Sequence, residues 1–467
     1  MATDSVSSRQ NPNVLVQAMG LAGWSPRDLV RAINPRLNAM GHPPMDLTAG
    51  HGWLRGCTPR SSAVRNLTAV VLSEATGHRY TSAQFWGHTH PAPQPHATEE
   101  LLGPLSLEQV LHTASLWTSG IAEPALVHSA AVDRLTAAVW DATRQAPAPP
   151  APGDGGDYVA PEFVDMLDEQ LVSLRRLDDR TGGGPLSQRH ARIALHESVA
   201  LIHTGKYSAT TGNRLLRHAA GVAQLAGWMS FDAGLAPAAH RYQLLAIRLA
   251  RAAGDTTTVA NALGMLAYPH AAAGHPLAAL RFAHAAVEHS AKSAPLVQAR
   301  ALGRLATAHA SAGNLEGFRR AIGQCRCLIE RRRADDPPSL YYLTPQQVDA
   351  ECGQALVDLA HHVPGQRSLL LKEAADLLSP IAAQGSATGY RRSGLLHGIH
   401  LIRASIGARD AEATAHWIST LADHIPHVQS IRCRTLLEGV RTKARKQLRA
   451  AGRDDALDAL NTALSRA

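Results

Sequence analysis

Apolar positions recur with helical spacing through most of the chain, so helices are the elements the pattern predicts. Val14, Leu15, Ala18 and Met19 make one apolar face near the start. Ser25-Pro26-Arg27-Asp28 then joins a capping serine to a proline at the first helical position, ahead of Leu29, Val30, Ile33 and Leu37. A turn, Gly41-His42-Pro43-Pro44, precedes Asp46 and a short segment from Leu47 to Gly56. Thr58-Pro59-Arg60 leads into a last apolar helix with Val64, Leu67, Val70, Val71 and Leu72. This order predicts a helix–turn–helix, whose second helix offers its first turns to the major groove. Here those turns run from Thr48 to Gly52, with Trp53 and Leu54 as anchors to the core. Thr48 and His51 are the candidate base readers, and Arg55, Arg60 and Arg65 are placed for phosphates. Gly50 and Gly52 offer no side chain to a base edge, and each lowers helix stability by up to about 1 kcal/mol relative to alanine. Either DNA is read weakly and by shape, or DNA binding has decayed.

From residue 158 onward the pattern is helical throughout and repeats. Gly234, Gly274 and Gly313 are followed by Ala238 and Tyr242, by Ala278 and Phe282, and by Gly317 and Ala321. A glycine ends one helix, a small residue four positions on admits a close neighbour, and an aromatic residue then fills the hairpin interface. Gly407, Ala411 and Ala415, with Trp417 nearby, predict a further copy. Spacing of this kind marks an α-solenoid. Trp228 and Tyr242, beside Gly227, Met229, Phe231 and Asp232, either fill the core or face a ligand in the concave groove.

Two proline-rich stretches, 87–97 and 146–156, interrupt the helices, the second ending in a flexible Gly-Asp-Gly-Gly run. They divide the chain into a helix–turn–helix domain (1–87), linkers flanking a helical connector (88–157) and a repeat domain (158–467). The expected fold class is all-α: an N-terminal helix–turn–helix domain plus a C-terminal tetratricopeptide-like α-solenoid. Charge sharpens the picture. The net charge is +8, and residues 1–86 carry eight arginines against four acids, or +4. Arginine is a bidentate phosphate ligand, which keeps nucleic acid open as a partner. The alternative is codon bias, since only 5 of the 46 basic residues are lysine.

Trp53-Leu54-Arg55-Gly56 and Thr58-Pro59-Arg60, with the apolar helix behind them, resemble the end of a phage-repressor-type (XRE) DNA-binding domain, in a variant found in actinobacterial regulators. Leu225-Ala226-Gly227-Trp228-Met229-Ser230-Phe231-Asp232-Ala233-Gly234 and the stretch from Ala246 to Asp255 resemble signatures of the same regulators. In them the domain is joined to tetratricopeptide-like repeats, as in the NsdA-like regulators of Streptomyces. The resemblance spans about residues 13–87 and 160–325. It implies a cytoplasmic, homodimeric regulator of double-stranded DNA, a repressor of development or secondary metabolism, whose repeats sense a small molecule, peptide or protein. The alternative is a protein-interaction scaffold with a vestigial helix–turn–helix domain.

Other features exclude more than they suggest. Five cysteines are too few for a disulfide framework, and Cys325-Arg-Cys327 lacks the spacing of a zinc ribbon. His88, His90 and His96 form a loop cluster that solvation explains, so no metal and no cofactor are expected. Gly182-Gly183-Gly184 lacks the Gly-Lys-Ser/Thr of a phosphate loop and reads as a turn. Arg331-Arg332-Arg333 and the basic run from Arg441 to Arg449 read as solvated faces. No Ser/His/Asp arrangement or paired-carboxylate context stands out, so no enzyme is expected. Met1 to Gln10 lacks the apolar core of a signal peptide, and no run approaches membrane-spanning length.

Overall fold

The computed structural model describes residues 12–39, 43–78, 80–86, 103, 105–118, 132–144, 152–334, 336–384 and 390–466. His88, His90, His96 and the proline-rich stretches at 87–97 and 146–151 lie outside the described residues.

Five helices make the N-terminal unit: α1 (Pro12–Ala22), α2 (Pro26–Ala39), α3 (Ala49–Leu54), α4 (Ser62–Thr76) and α5 (Ser82–Trp86). Local chemistry sets their ends. Before α2, the Ser25 amide donates to Asp28 Oδ2 and the Asp28 amide donates back to Ser25 Oγ, a reciprocal cap. Ser61 caps α4 by accepting from the Val64 amide, and Gly77, at φ 70°, ends it. Leu15, Leu29, Ile33, Leu67 and Leu72 form a core separate from the rest of the chain, and Trp53 meets Trp86 edge to face at 6.1 Å.

Beyond residue 160 the chain is a tandem array of helical hairpins. They are α8 (Pro161–Thr181) with α9 (Pro185–Thr204), α10 (Ala209–Asp232) with α11 (Ala236–Ala252), and α12 (Thr256–Ala272) with α13 (Pro276–Ser290). Then come α14 (Pro295–Ser311) with α15 (Leu315–Ile329), α16 (Pro345–His362) with α17 (Arg367–Gln384), α18 (Arg391–Ala408) with α19 (Ala411–Ala422), and α20 (Ile431–Ala450) with α21 (Asp454–Arg466). Gly234, Gly274 and Gly313 each turn a hairpin at positive φ, as their spacing predicts. Gly407 does not. It lies inside α18, where an added Cβ would stand 3.0 Å from Leu371, and the left-handed residue of that turn is Arg409. The helix runs on to Ala408, and packing rather than backbone freedom selects the small residue.

Two earlier helices, α6 (Leu107–Thr118) and α7 (Val132–Arg144), pack on the array instead of standing apart from it. Val110, Trp117, Leu135 and Val139 are buried in the same apolar core as the first hairpins. The Gly-Asp-Gly-Gly run is not a free tether either. A two-residue strand β1 (Gly153–Asp154) pairs antiparallel with β2 (Lys206–Tyr207), and Gly156 comes so near Thr204 O that a Cβ would stand 1.9 Å away.

The first helix of each hairpin lies against the first helix of the next, so α10, α12, α14, α16, α18 and α20 form one inner wall. The array curls until its ends meet: α8 reaches α18, and α10 reaches α20. The Gly182–Gly184 turn sits at this closure. A Cβ on Gly182 would stand 2.8 Å from Gln429 O, one on Gly183 would stand 2.8 Å from Met229 Cα, and one on Gly184 would overlap the Gln429 amide. The Gln429 backbone N–H donates to Thr181 O at 2.7 Å. The three glycines are therefore the seam of a ring. No helix among the described residues is long and apolar enough to cross a membrane.

Candidate functional site

The sequence-predicted DNA-reading residues lie together around α3. Thr48, His51, Arg55 and Arg60 are exposed. Asp46 fixes the entry to the helix by accepting from the Thr48 amide at 2.7 Å and from its hydroxyl at 2.5 Å, which holds the Asp46 carboxyl below its usual range. Arg27, not singled out from the sequence, is exposed at the start of α2, and its field reaches Asp46. Arg27, Arg55 and Arg60 have no ion-pair partner among the described residues, whereas Arg31 pairs with Asp28 and Arg36 with Glu74. Arg65 does something else. It is half-buried and donates to Pro59 O at 2.6 Å and Arg60 O at 3.0 Å, so it braces the loop that carries Arg60.

The two glycines of α3 differ. Gly50 is buried against the start of α2, where an added Cβ would stand 2.5 Å from Pro26 O. Its missing side chain therefore belongs to helix packing, not to the surface that would meet DNA. Gly52 has ordinary room, with Cys57 Cβ 3.8 Å away. Gly50→Ala is expected to destabilise the N-terminal unit by about 1–3 kcal/mol through overpacking. Gly52→Ala is expected to stabilise it by up to about 1 kcal/mol. Thermal unfolding of the two variants, followed by the fluorescence of Trp53 and its neighbours, checks both signs.

The second concentration of chemistry lies inside the ring. A cavity with about 890 Å³ of empty space, its open mouth included, is lined by the inner helices from α8 to α20. Trp228 lines it, together with Tyr268, Tyr341, Tyr342 and Tyr390, so four of the chain's eight tyrosines face one space. A single 3-10 turn, Pro338–Leu340, brings Tyr341 and Tyr342 to the wall. Tyr242 is elsewhere. It is buried against Trp117, edge to face at 6.0 Å, and serves the core between α6 and α11.

Arginines and carboxylates surround the rings. Arg304 lies over Tyr268 at 4.7 Å, and Arg392 and Arg432 lie over Trp228 at 5.6 and 5.1 Å. Arg300 forks onto Glu351 at 2.9 and 2.6 Å. Burial alone would raise the Glu351 pKa, but Arg300 and Arg304 hold it well below the carboxylate range. Arg392 closes the ring chemically. Its guanidinium donates to Asp178 O at 3.1 Å, Asp178 Oδ2 at 3.0 Å and Asp179 Oδ1 at 3.3 Å, and Tyr341 donates its hydroxyl to Asp179. Asp232, fully buried, stands 3.1 Å from Arg432 and 4.0 Å from Arg392. Burial, with the nearby charges of Asp232 and Asp179, pushes the Asp178 carboxyl up to about 7 against the pull of Arg392.

This cavity shares Tyr268, Glu351, Gln354 and Arg432 with a wider space of about 2940 Å³. One side of that space is the end of α4, with Val70, Ser73, Glu74, Gly77 and His78. The other is the array, with Phe231, His240, His270 and Arg403. The N-terminal unit thus stands over the mouth of the ring, with α2 touching α9. His240 and His270 stack there at 4.9 Å. Burial pushes them down to about 3 and about 4, so both rings are neutral near pH 7. Among the described residues no group of three metal-ligating side chains converges.

No family model and no curated protein matches the chain. Among solved structures it is similar to a "Circular tandem repeat protein with novel repeat topology and enhanced subunit contact surfaces", at 13% identity over 97% of this chain and 98% of that one, with a TM-score of 0.19.

Proposed function

We propose that the chain is a DNA-binding transcription regulator, in which α3 and its neighbours read duplex DNA and the ring beneath them senses an effector. The observation that carries this reading is the cluster of Arg27, Arg55 and Arg60. They are exposed, free of ion pairs among the described residues, and gathered around a short exposed helix with Thr48 and His51 at its start. Exposed cations left unpaired suit phosphates, and the polar side chains of Thr48 and His51 suit base edges. The burial of Gly50 removes the strongest argument for a decayed reading helix. Resemblance to the actinobacterial XRE-type regulators supports the same reading, and with it a cytoplasmic homodimer acting as a repressor.

The control step is a population shift. The N-terminal unit stands at the mouth of the ring, so an effector that binds better to one arrangement of the two changes the spacing of paired DNA-reading units. Two copies must reach half-sites about 34 Å apart, so a small change in that spacing alters operator affinity.

The test is binding of the full-length protein to random duplex DNA as a function of salt, followed by selection from fragmented genomic DNA. Replacing Arg55 and Arg60 with alanine is expected to lower the slope of log K against log salt by about 2. It is also expected to abolish enrichment of the selected promoters. A flat slope with no enrichment by the wild-type protein overturns the reading, and the ring then stands as a protein-interaction scaffold.

A further inference from the structure

The sensing half of that proposal leaves the effector's chemistry open, and the walls of the cavity narrow it. Arg175, Gln224, Asn261, Arg304 and Ser339 line both the main cavity and a smaller recess behind it. These five residues are the partition between the two spaces.

The partition holds more positive charge than its surroundings neutralise. Glu351 is forked by Arg300, and its Oε2 is 3.9 Å from Arg304, so one carboxylate serves two guanidiniums. Arg175 has no ion pair among the described residues. The nearby Asp178 and Asp179 accept from Arg392, and Asp179 also accepts from Tyr341. Arg175 and Arg304 thus line one recess with only a share of one carboxylate between them, beside the amides of Gln224 and Asn261 and the hydroxyl of Ser339. Desolvated cations of this kind demand an anion. The Arg304 guanidinium lies over the Tyr268 ring at 4.7 Å. Trp228, Tyr342 and Leu396 line the main cavity.

We propose that the cavity binds a small organic anion, its carboxylate or phosphate head held by Arg175 and Arg304 and its planar, largely apolar body lying against Trp228 and Tyr342. The cavity is reached through the wider space at the mouth of the ring, with which it shares Tyr268, Glu351, Gln354 and Arg432. The proposal extends the sensing role of the ring but is read without DNA, so its failure and a failure of DNA binding are separate results.

The experiment is titration calorimetry of the full-length protein, in about 0.1 M salt, with 2-naphthoate, 2-naphthyl phosphate and the neutral isostere 2-naphthalenemethanol. At least one anion is expected to bind about tenfold or more tightly than the alcohol, as a charge-assisted hydrogen bond implies. The tighter of the two anions identifies the head group. Arg175→Gln is expected to remove the preference for anion over alcohol. Asn261→Asp, which puts a negative charge into the partition, is expected to abolish anion binding, and Trp228→Ala is expected to weaken all three probes. Equal binding of anions and alcohol by the wild-type protein overturns the proposal without any variant. So does an absence of heat with all three probes, or anion binding unchanged in Arg175→Gln. Penta-glutamate competing as well as the best naphthyl anion overturns it in favour of an extended acidic peptide.

Discussion

Arg392→Ala is expected to destabilise the protein by about 3–5 kcal/mol, the magnitude of removing one partner from a buried ion pair. Arg392 stands at the ring closure with its side chain about 5% exposed and serves Asp178 and Asp179. Without it, Asp178, Asp179 and Asp232 face one another with Arg432 as their close cation. The loss depends on pH, and its sign follows from Asp178. The folded-state pKa is raised from 3.8 to about 7, so the folded protein keeps a proton that the unfolded chain has released. Ionising that carboxyl opposes folding, and stability from this group falls as pH rises from about 4 to about 7. In the variant the carboxyl loses its cation and holds the proton more tightly. The destabilisation is therefore expected to be larger at about pH 8 than at about pH 6. Urea unfolding of both proteins at the two pH values measures it, and equal midpoints for wild type and variant would show that Arg392 does not hold the ring shut.

Glu351→Gln is expected to have an effect of similar size, about 3–5 kcal/mol, with a pH dependence of the same direction but over a more acidic range. Its carboxylate lies between Arg300 and Arg304, whose side chains are 3% and 6% exposed. The amide keeps the shape but leaves two buried guanidiniums without a charge partner. The folded-state pKa of Glu351 is depressed by those arginines, so its contribution is present above the unfolded value near 4.5 and is lost as pH falls below it. The gap between wild type and variant is thus expected to close in acid, where the Arg392→Ala gap also narrows but over a higher range. Glu351→Gln adds to the unneutralised charge beside Arg304, so it should also tighten binding of the naphthyl anion. A variant that is destabilised yet binds the anion more strongly separates the structural task of Glu351 from the charge balance of the cavity.

What the sequence makes legible here is what a few neighbouring residues decide. Pro26 after Ser25, the cap at Ser61 and the apolar spacing from Val64 to Leu72 are local, and the helices of the N-terminal unit start and stop where those signals lie. Gly234, Gly274 and Gly313 mark hairpins because each is itself the turn. Gly407 misleads because a glycine is also selected by a close neighbour, here Leu371, and sequence carries no sign of which reason applies. The same ambiguity hides the meaning of Gly50 and of Gly182–Gly184. The cavity was hardly readable at all. Trp228 reaches it while Tyr242, in the next helix, turns to Trp117, a difference of helix rotation that only packing sets. Arg392 and Asp178 are 214 residues apart, and nothing near either residue announces the other.

The closure of the array also fixes what the protein can become. An open solenoid can gain or lose a hairpin at its end, because each unit answers only to its neighbours. This one has no such end. One extra hairpin between α10 and α18 would carry Arg392 away from Asp178 by about the width of a helix, 8–10 Å, and would draw Gln429 off the glycine seam. The count of units is therefore locked by the closing contacts. Such a ring should melt as one body instead of fraying from a terminus. Its diameter is an inherited constant, and only the lining of the hole is left free to vary.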